Sequence, residues 1–242
     1  MDGVVAWFLD PANWSGAAGI PSRLVEHVVL SGLAVLIGAA IAVPIGLFIG
    51  HTGRGAAATI AVGNLGRAIP SYAMLVIFVP LLGIGFNNAL AALVLLALPP
   101  ILVNTHAGMR GVDPDTVEAG RGMGMRETQL LRTVELPLAL PVIVAGVRVA
   151  AIQVVATATL AALVGGGALG RFIADGFALR DTPQLVGGAI LVALLAVATE
   201  RLFALIERRS LSPGVRAGTP PAPATPSAPA PAPADLALRS LG

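Results

Sequence analysis

The chain has 242 residues; 56% are hydrophobic, only 12% are charged, and the net charge is +2. An ordinary soluble domain carries about 25% charged residues, so this composition marks an integral membrane protein. It contains no cysteine and no lysine, which excludes disulfides, thiolate chemistry, Cys-ligated metals and the Gly-Lys-Ser/Thr phosphate loop; with no dense basic face, nucleic acid is excluded as a partner.

Residues 1 to 22 lack a basic stretch before an apolar run and carry Asp2 and Asp10, so they read as an extracytoplasmic or interfacial segment and not as a secretory signal. Trp7 and Trp14 are expected at the membrane interface. The first span, about 28 to 50, has no charged residue and is long enough to cross ~30 Å of hydrocarbon. A polar turn, HTGRG, leads to a second expected span at about 65 to 83, with 56 to 64 as a helical lead-in. After the turn GIGFNN comes span three, about 89 to 108, which Pro99 and Pro100 should bend. Span four covers about 138 to 163 and span five about 184 to 206. Between them, 165 to 183 reads as a loop with a short amphipathic helix.

Five spans put the two ends on opposite sides. Arg54, Arg110, Arg121, Arg126, Arg132, Arg208, Arg209 and Arg216 then share the C-terminal side, against Arg23, Arg171 and Arg180 on the other. Arginine bias therefore predicts N-out, C-in, with residues 109 to 137 cytoplasmic. The expected organisation is an N-terminal segment 1–22, a membrane domain 23–207 and a tail 208–242. The tail, rich in Pro and Ala, is expected to be disordered or extended polyproline II.

The unusual segment is 113 to 137, polar and glycine-punctuated in an apolar chain. Asp113-Pro114-Asp115 is a helix start: a capping Asp, Pro at the first position, an acid in the first turn. Gly122 and Gly124 interrupt this helix, since glycine accepts the angles of a sharp bend. A second helix, roughly 125 to 134, runs to Leu136-Pro137, where the proline is expected to restart the chain as span four. On residues alone, this is either a solvated interhelical loop or a rigid two-helix knob offered to another protein.

The segment resembles the cytoplasmic EAA loop of ATP-binding-cassette (ABC) importer permeases. Glu118-Ala119-Gly120, then Gly124, Val134 and Leu136-Pro137 keep every spacing of that motif, with Gly120 in place of its second alanine. IPSYAML near 70, LPPILVNTHAGMRGVDPDTVEAGRGMGM (98 to 125), VELPLALPVIVAGVRVA (134 to 150) and ATLAALVGGGALG (158 to 170) are similar to permeases of osmoprotectant importers for glycine betaine, choline and carnitine. The resemblance covers roughly 22 to 207. It implies an all-α type I ABC-importer transmembrane domain of about five spans, multi-pass in the cell membrane. It also implies a second permease chain, alike or different, two ATPase subunits holding ATP and Mg, and an extracytoplasmic binding protein. Glu118, Ala119, Gly120, Gly124, Val134, Leu136 and Pro137 are then the residues that couple to the ATPase. No catalytic residue, metal or cofactor is expected in this chain.

Quaternary ammonium groups are held by aromatic cages, and this chain has few aromatics: two Trp, one Tyr and seven Phe. High-affinity recognition is therefore assigned to a partner and a pathway to this chain, with Pro70, Ser71, Tyr72 and Asn104 as pathway candidates. Packing remains open for Tyr72 and interhelical bonding for Asn104. Arg148, about 16 Å along the helix after Pro137 at ~1.5 Å per residue, is an intramembrane charge with Glu200 as the expected partner. Arg67 is expected nearer the inner surface. His27, His51 and His106 are dispersed and expected to lack accompanying carboxylates, so no metal site is read from them. The competing readings are a permease for methionine, other amino acids or oxyanions, and an ion-driven secondary transporter, which usually needs more spans and a broken-helix ion site.

Overall fold

Apolar segments in lipid must close their hydrogen bonds internally, and helices do so. The computed structural model describes residues 2–210, apart from the side chains of 65, 67 and 208–210. Among these residues every regular element is helical: α1 (Asp2–Leu9), α2 (Ile20–Thr52), α3 (Ala56–Ala68), α4 (Ser71–Ile77), α5 (Val79–Leu82), α6 (Phe86–Arg110), α7 (Pro114–Gly122), α8 (Glu127–Leu130), α9 (Leu136–Thr157), α10 (Gly170–Leu179) and α11 (Thr182–Ser210). Four stretches are long and apolar enough to cross a membrane: Ile20–Thr52, Phe86–Arg110, Glu127–Val164 and Thr182–Glu207. The tail expected beyond 207 falls, from 211 on, outside the described residues.

The second expected span corrects the sequence reading. Residues 65 to 83 form no single helix but the end of α3 followed by α4 and α5. Pro70 sits in extended backbone (φ −62°, ψ 127°) as the N-cap of α4, because proline lacks a donor and pushes its predecessor out of helical angles. Pro80 opens α5, and Gly83 ends it with φ +74°. A neighbour serves one carbonyl near the second break: the buried Asn88 of α6 donates from Nδ2 to Leu75 O at 3.1 Å. By contrast Pro44, Pro99, Pro100 and Pro141 lie inside uninterrupted helices.

Span four also differs. The helix does not restart at Pro137 but runs continuously from Glu127. A π-helical turn, Leu131–Glu135, joins α8 to α9, and the Leu136 N–H donates to Leu131 O. That widened turn lies directly before Pro137, whose missing N–H leaves the preceding turn short of a donor.

Helix α6 is the centre and packs on both α2 and α9, which also touch each other. The seam with α2 is built from small residues at every fourth position: Gly38, Ala42, Gly46 and Gly50. A methyl on Gly50 would stand 2.3 Å from Met109 Cβ, and one on Gly46 would stand 2.6 Å from Thr105 Cβ. Such seams let helix backbones approach in lipid, where hydrophobic drive between helices is absent. At the α11 end, Trp7 packs edge-on to Phe172 (centroids 5.4 Å apart, 81° between planes) beside Ile20 and Leu169. Trp7 is thus buried against protein, while Trp14 is half exposed and donates from Nε1 to Phe8 O at 2.7 Å.

Candidate functional site

The segment 113–137 is a helix folded back on a helix. Asp113 caps α7 by accepting from the Asp115 N–H at 3.0 Å. At the other end, Gly124 takes φ +81°. Its N–H donates to Arg121 O (2.9 Å), and the Met125 N–H donates to Gly120 O (3.2 Å). This is a Schellman termination, in which a left-handed residue turns the chain and satisfies the last carbonyls. The chain then enters α8. Gly120 is buried because α8 lies against it: a methyl there would stand 2.6 Å from Leu130 Cδ1. Glu118 and Ala119 are exposed on the other face.

Below the knob an apolar cluster of Met109, Val112, Ala139 and Ile143 takes in Val117 of α7, Leu131 and Leu136. Val134 is half-buried and Pro137 exposed. Above the cluster runs a polar line. Arg121 donates to both oxygens of Glu127, from Nε at 3.0 Å and the second nitrogen at 3.2 Å. That hydrogen bond, then the charge of Glu127, pushes the pKa of Arg121 above its ordinary value, so it stays cationic. Glu127 also lies 3.3 Å from His51 Nε2, and His51 Nδ1 is 2.5 Å from Glu135 Oε2. The expectation that His51 has no carboxylates around it is therefore wrong: helix packing gathers two acids that the sequence keeps far away. Its two ring nitrogens face different acids, and among the described residues no group of three His, Asp or Glu side chains is placed to hold a metal ion. A cleft of about 200 Å³ opens here, with Glu118, Arg121, His51 and Glu135 in its wall.

Of the four pathway candidates, the structure brings two together. Ser71 and Asn104 line a cavity of about 320 Å³ where the broken second segment meets α6 and α9. Pro99 and Pro100 also line it, and so does Gln153. Pro70 and Tyr72 are not among its lining residues; Tyr72 is half exposed. Asn104 donates from Nδ2 to Pro100 O of its own helix at 2.8 Å. Gln153 went unnoticed in the sequence, although it is the lone amide in the apolar stretch 138 to 163.

Arg148 of α9 donates from Nε to Glu200 Oε2 at 2.9 Å, and another guanidinium nitrogen meets Glu200 Oε1. It also donates to Glu207 Oε2 at 2.7 Å, so one arginine holds two acids of α11. His27, fully buried, bonds through Nε2 to Val155 O at 2.9 Å and so ties α2 to α9.

Residues 42–212 match the family model described as the binding-protein-dependent transport system inner membrane component. The chain is 40% identical over 191 residues to the choline transport system permease protein OpuBB of Bacillus subtilis, covering 79% of this chain and 88% of that protein. It is 38% identical over 216 residues to the carnitine transport permease protein OpuCB of Listeria monocytogenes, covering 89% and 97%. It is 34% identical over 217 residues to the osmoprotectant import permease protein OsmW of Salmonella typhimurium, covering 88% and 99%. Among solved structures, an inward-facing conformation of the MetNI methionine ABC transporter superposes with a TM-score of 0.70 at 24% identity, covering 77% of this chain and 94% of that one. The likeness to that transporter is one of fold.

Proposed function

The chain belongs to the family of binding-protein-dependent transport system inner membrane components and is a multi-pass permease subunit of an ABC importer, and from that premise we propose that its cargo is an osmoprotectant: glycine betaine, choline, carnitine or proline. The relatives named for choline, carnitine and osmoprotectant transport support this cargo class. The scarcity of aromatic residues, 4% of the chain, assigns tight selection to an extracytoplasmic binding protein and passage to the permease. Two ATPase subunits hold ATP and Mg, a second permease chain completes the pathway, and the N-out, C-in orientation turns 113–137 toward the ATPases. The cavity of Ser71, Asn104 and Gln153 supplies hydroxyl and amide groups along the route.

One observation carries the coupling step: α7 is folded onto a helix that continues from Glu127 through the membrane span. A push on α7 from a closing ATPase dimer is delivered through Gly120 and Leu130 to α8, and from there to α9 as a rigid lever. Such a push changes access only if the ATPase contacts differ between the two global states. The deciding experiment reconstitutes the permease with its ATPase and binding protein in liposomes. Uptake of labelled glycine betaine, choline or carnitine is expected to require ATP and to survive collapse of ion gradients. Uptake abolished by ionophores, or competed only by methionine or an oxyanion, overturns the reading.

A further inference from the structure

His51 is the penultimate residue of α2, the long helix that contributes nothing to the motif at 113–137. Yet its imidazole, largely buried, meets both Glu135 and Glu127 of the coupling segment. Glu135 is 6% exposed, and a carboxylate taken from water has to be partnered. Its carboxylate accepts a hydrogen bond from the His51 ring. Glu127 in turn holds Arg121 of α7. A polar chain Arg121–Glu127–His51–Glu135 therefore joins α7, α8, the π turn and the end of α2.

The other contacts between these parts are apolar. Val43 and Leu47 of α2 share a cluster with Leu131 and Leu136, and apolar contact is non-directional. Hydrogen bonds to a carboxylate are shorter and oriented, and they fix register. Next to His51, Gly50 is pressed onto Met109 of α6, which holds that end of α2 in place and presents the ring to the acids. We propose that His51 is a positioning residue that fastens the inner end of α2 to the coupling segment, so that the knob, α9 and α2 move as one body when the ATPase acts. This rests on the coupling role of 113–137 stated above.

The test measures uptake and ATP hydrolysis together in the reconstituted importer. ATP-driven uptake by the wild type checks the functional reading by itself. Given that uptake, His51→Ala is expected to lower cargo moved per ATP by about tenfold, within the range of coupling between linked sites, while hydrolysis continues. His51→Gln keeps an N–H donor and recovers most of the loss, which a ring serving only to fill space would not predict. The pair His51→Ala with Glu135→Gln is no worse than His51→Ala, because the same contact is lost. Cargo per ATP unchanged in His51→Ala overturns the proposal. Should that variant fail to assemble, the cysteine-free chain allows spin labels at Arg54→Cys and Arg132→Cys with His51 intact. The same distance distribution with and without ATP supports one body, and a nucleotide-dependent shift overturns it.

Discussion

Of the turns that use left-handed backbone, two are held in opposite ways. At the elbow between α7 and α8, Gly124 has φ +81°, and a methyl built on it would meet nothing within 4 Å. Its shape comes from its own backbone bonds. At the turn after α9, Gly165 and Gly167 have φ +74° and +72°, and Ala168, with a side chain, has φ +65°. This turn is captured from outside. Glu26 of α2 accepts from the Ala168 N–H at 2.9 Å and from Arg23 at 2.8 Å, and the Gly85 N–H donates to Val164 O at 2.8 Å. The first turn is coded locally and leaves its surface free for a partner. The second exists because α2 and the 83–85 turn hold it, so it moves only when those contacts break.

The sharpest way to break this comparison is Gly124→Val. Nothing crowds the site, yet a β-branched residue at positive φ costs about 1–3 kcal/mol. If the elbow transmits force, cargo per ATP drops by about tenfold or more while the variant remains folded and hydrolysis persists; paired uptake and hydrolysis assays decide it. Gly167→Ala should weaken stability more than Gly124→Ala. It adds to backbone strain a methyl 2.7 Å from Glu26 Oε2, for about 2 kcal/mol in all and a melting point lower by about 4–8 °C. Glu26→Ala removes the acceptor of the Ala168 N–H. With the Glu26 side chain 43% exposed, solvent replaces part of the loss, and about 1 kcal/mol is expected in the same melting assay. The smallest effect belongs to Gly120→Ala, whose methyl would press on the terminal methyl of the buried Leu130 but which gains helix propensity in return. Stability should change by less than about 0.5 kcal/mol in the same melting assay.

The two turns also differ in how legible they were. Asp113-Pro114, Gly124 and the fixed spacing to Leu136-Pro137 announced a capped helix, a left-handed stop and a second helix, because caps and stops depend on neighbours within one turn. The capture of Ala168 by Glu26 joins residues 142 positions apart, and no local pattern carries that. The same holds for His51 and Glu135, separated by 84 positions. The broken second segment was misread as one span because its hydropathy is continuous, although Pro70 and Pro80 stood in view. The packing of Trp7 on Phe172 joins residues 165 positions apart, and nothing in the sequence signalled it.

By itself the sequence determined the environment, the long apolar helices, the absence of nucleotide-loop and thiol chemistry, and the capped elbow at 113–126. All of these follow from composition or from contacts within a few residues. Only the tertiary structure decided that the helix of span four begins as early as Glu127, that Ser71, Asn104 and Gln153 share one cavity, that Arg148 holds Glu207 as well as Glu200, and that His51 sits between two acids. Those depend on the angle and register at which helices pack, set here by the glycine seam of α2 and the broken backbone around Pro70, and helix periodicity alone does not encode them.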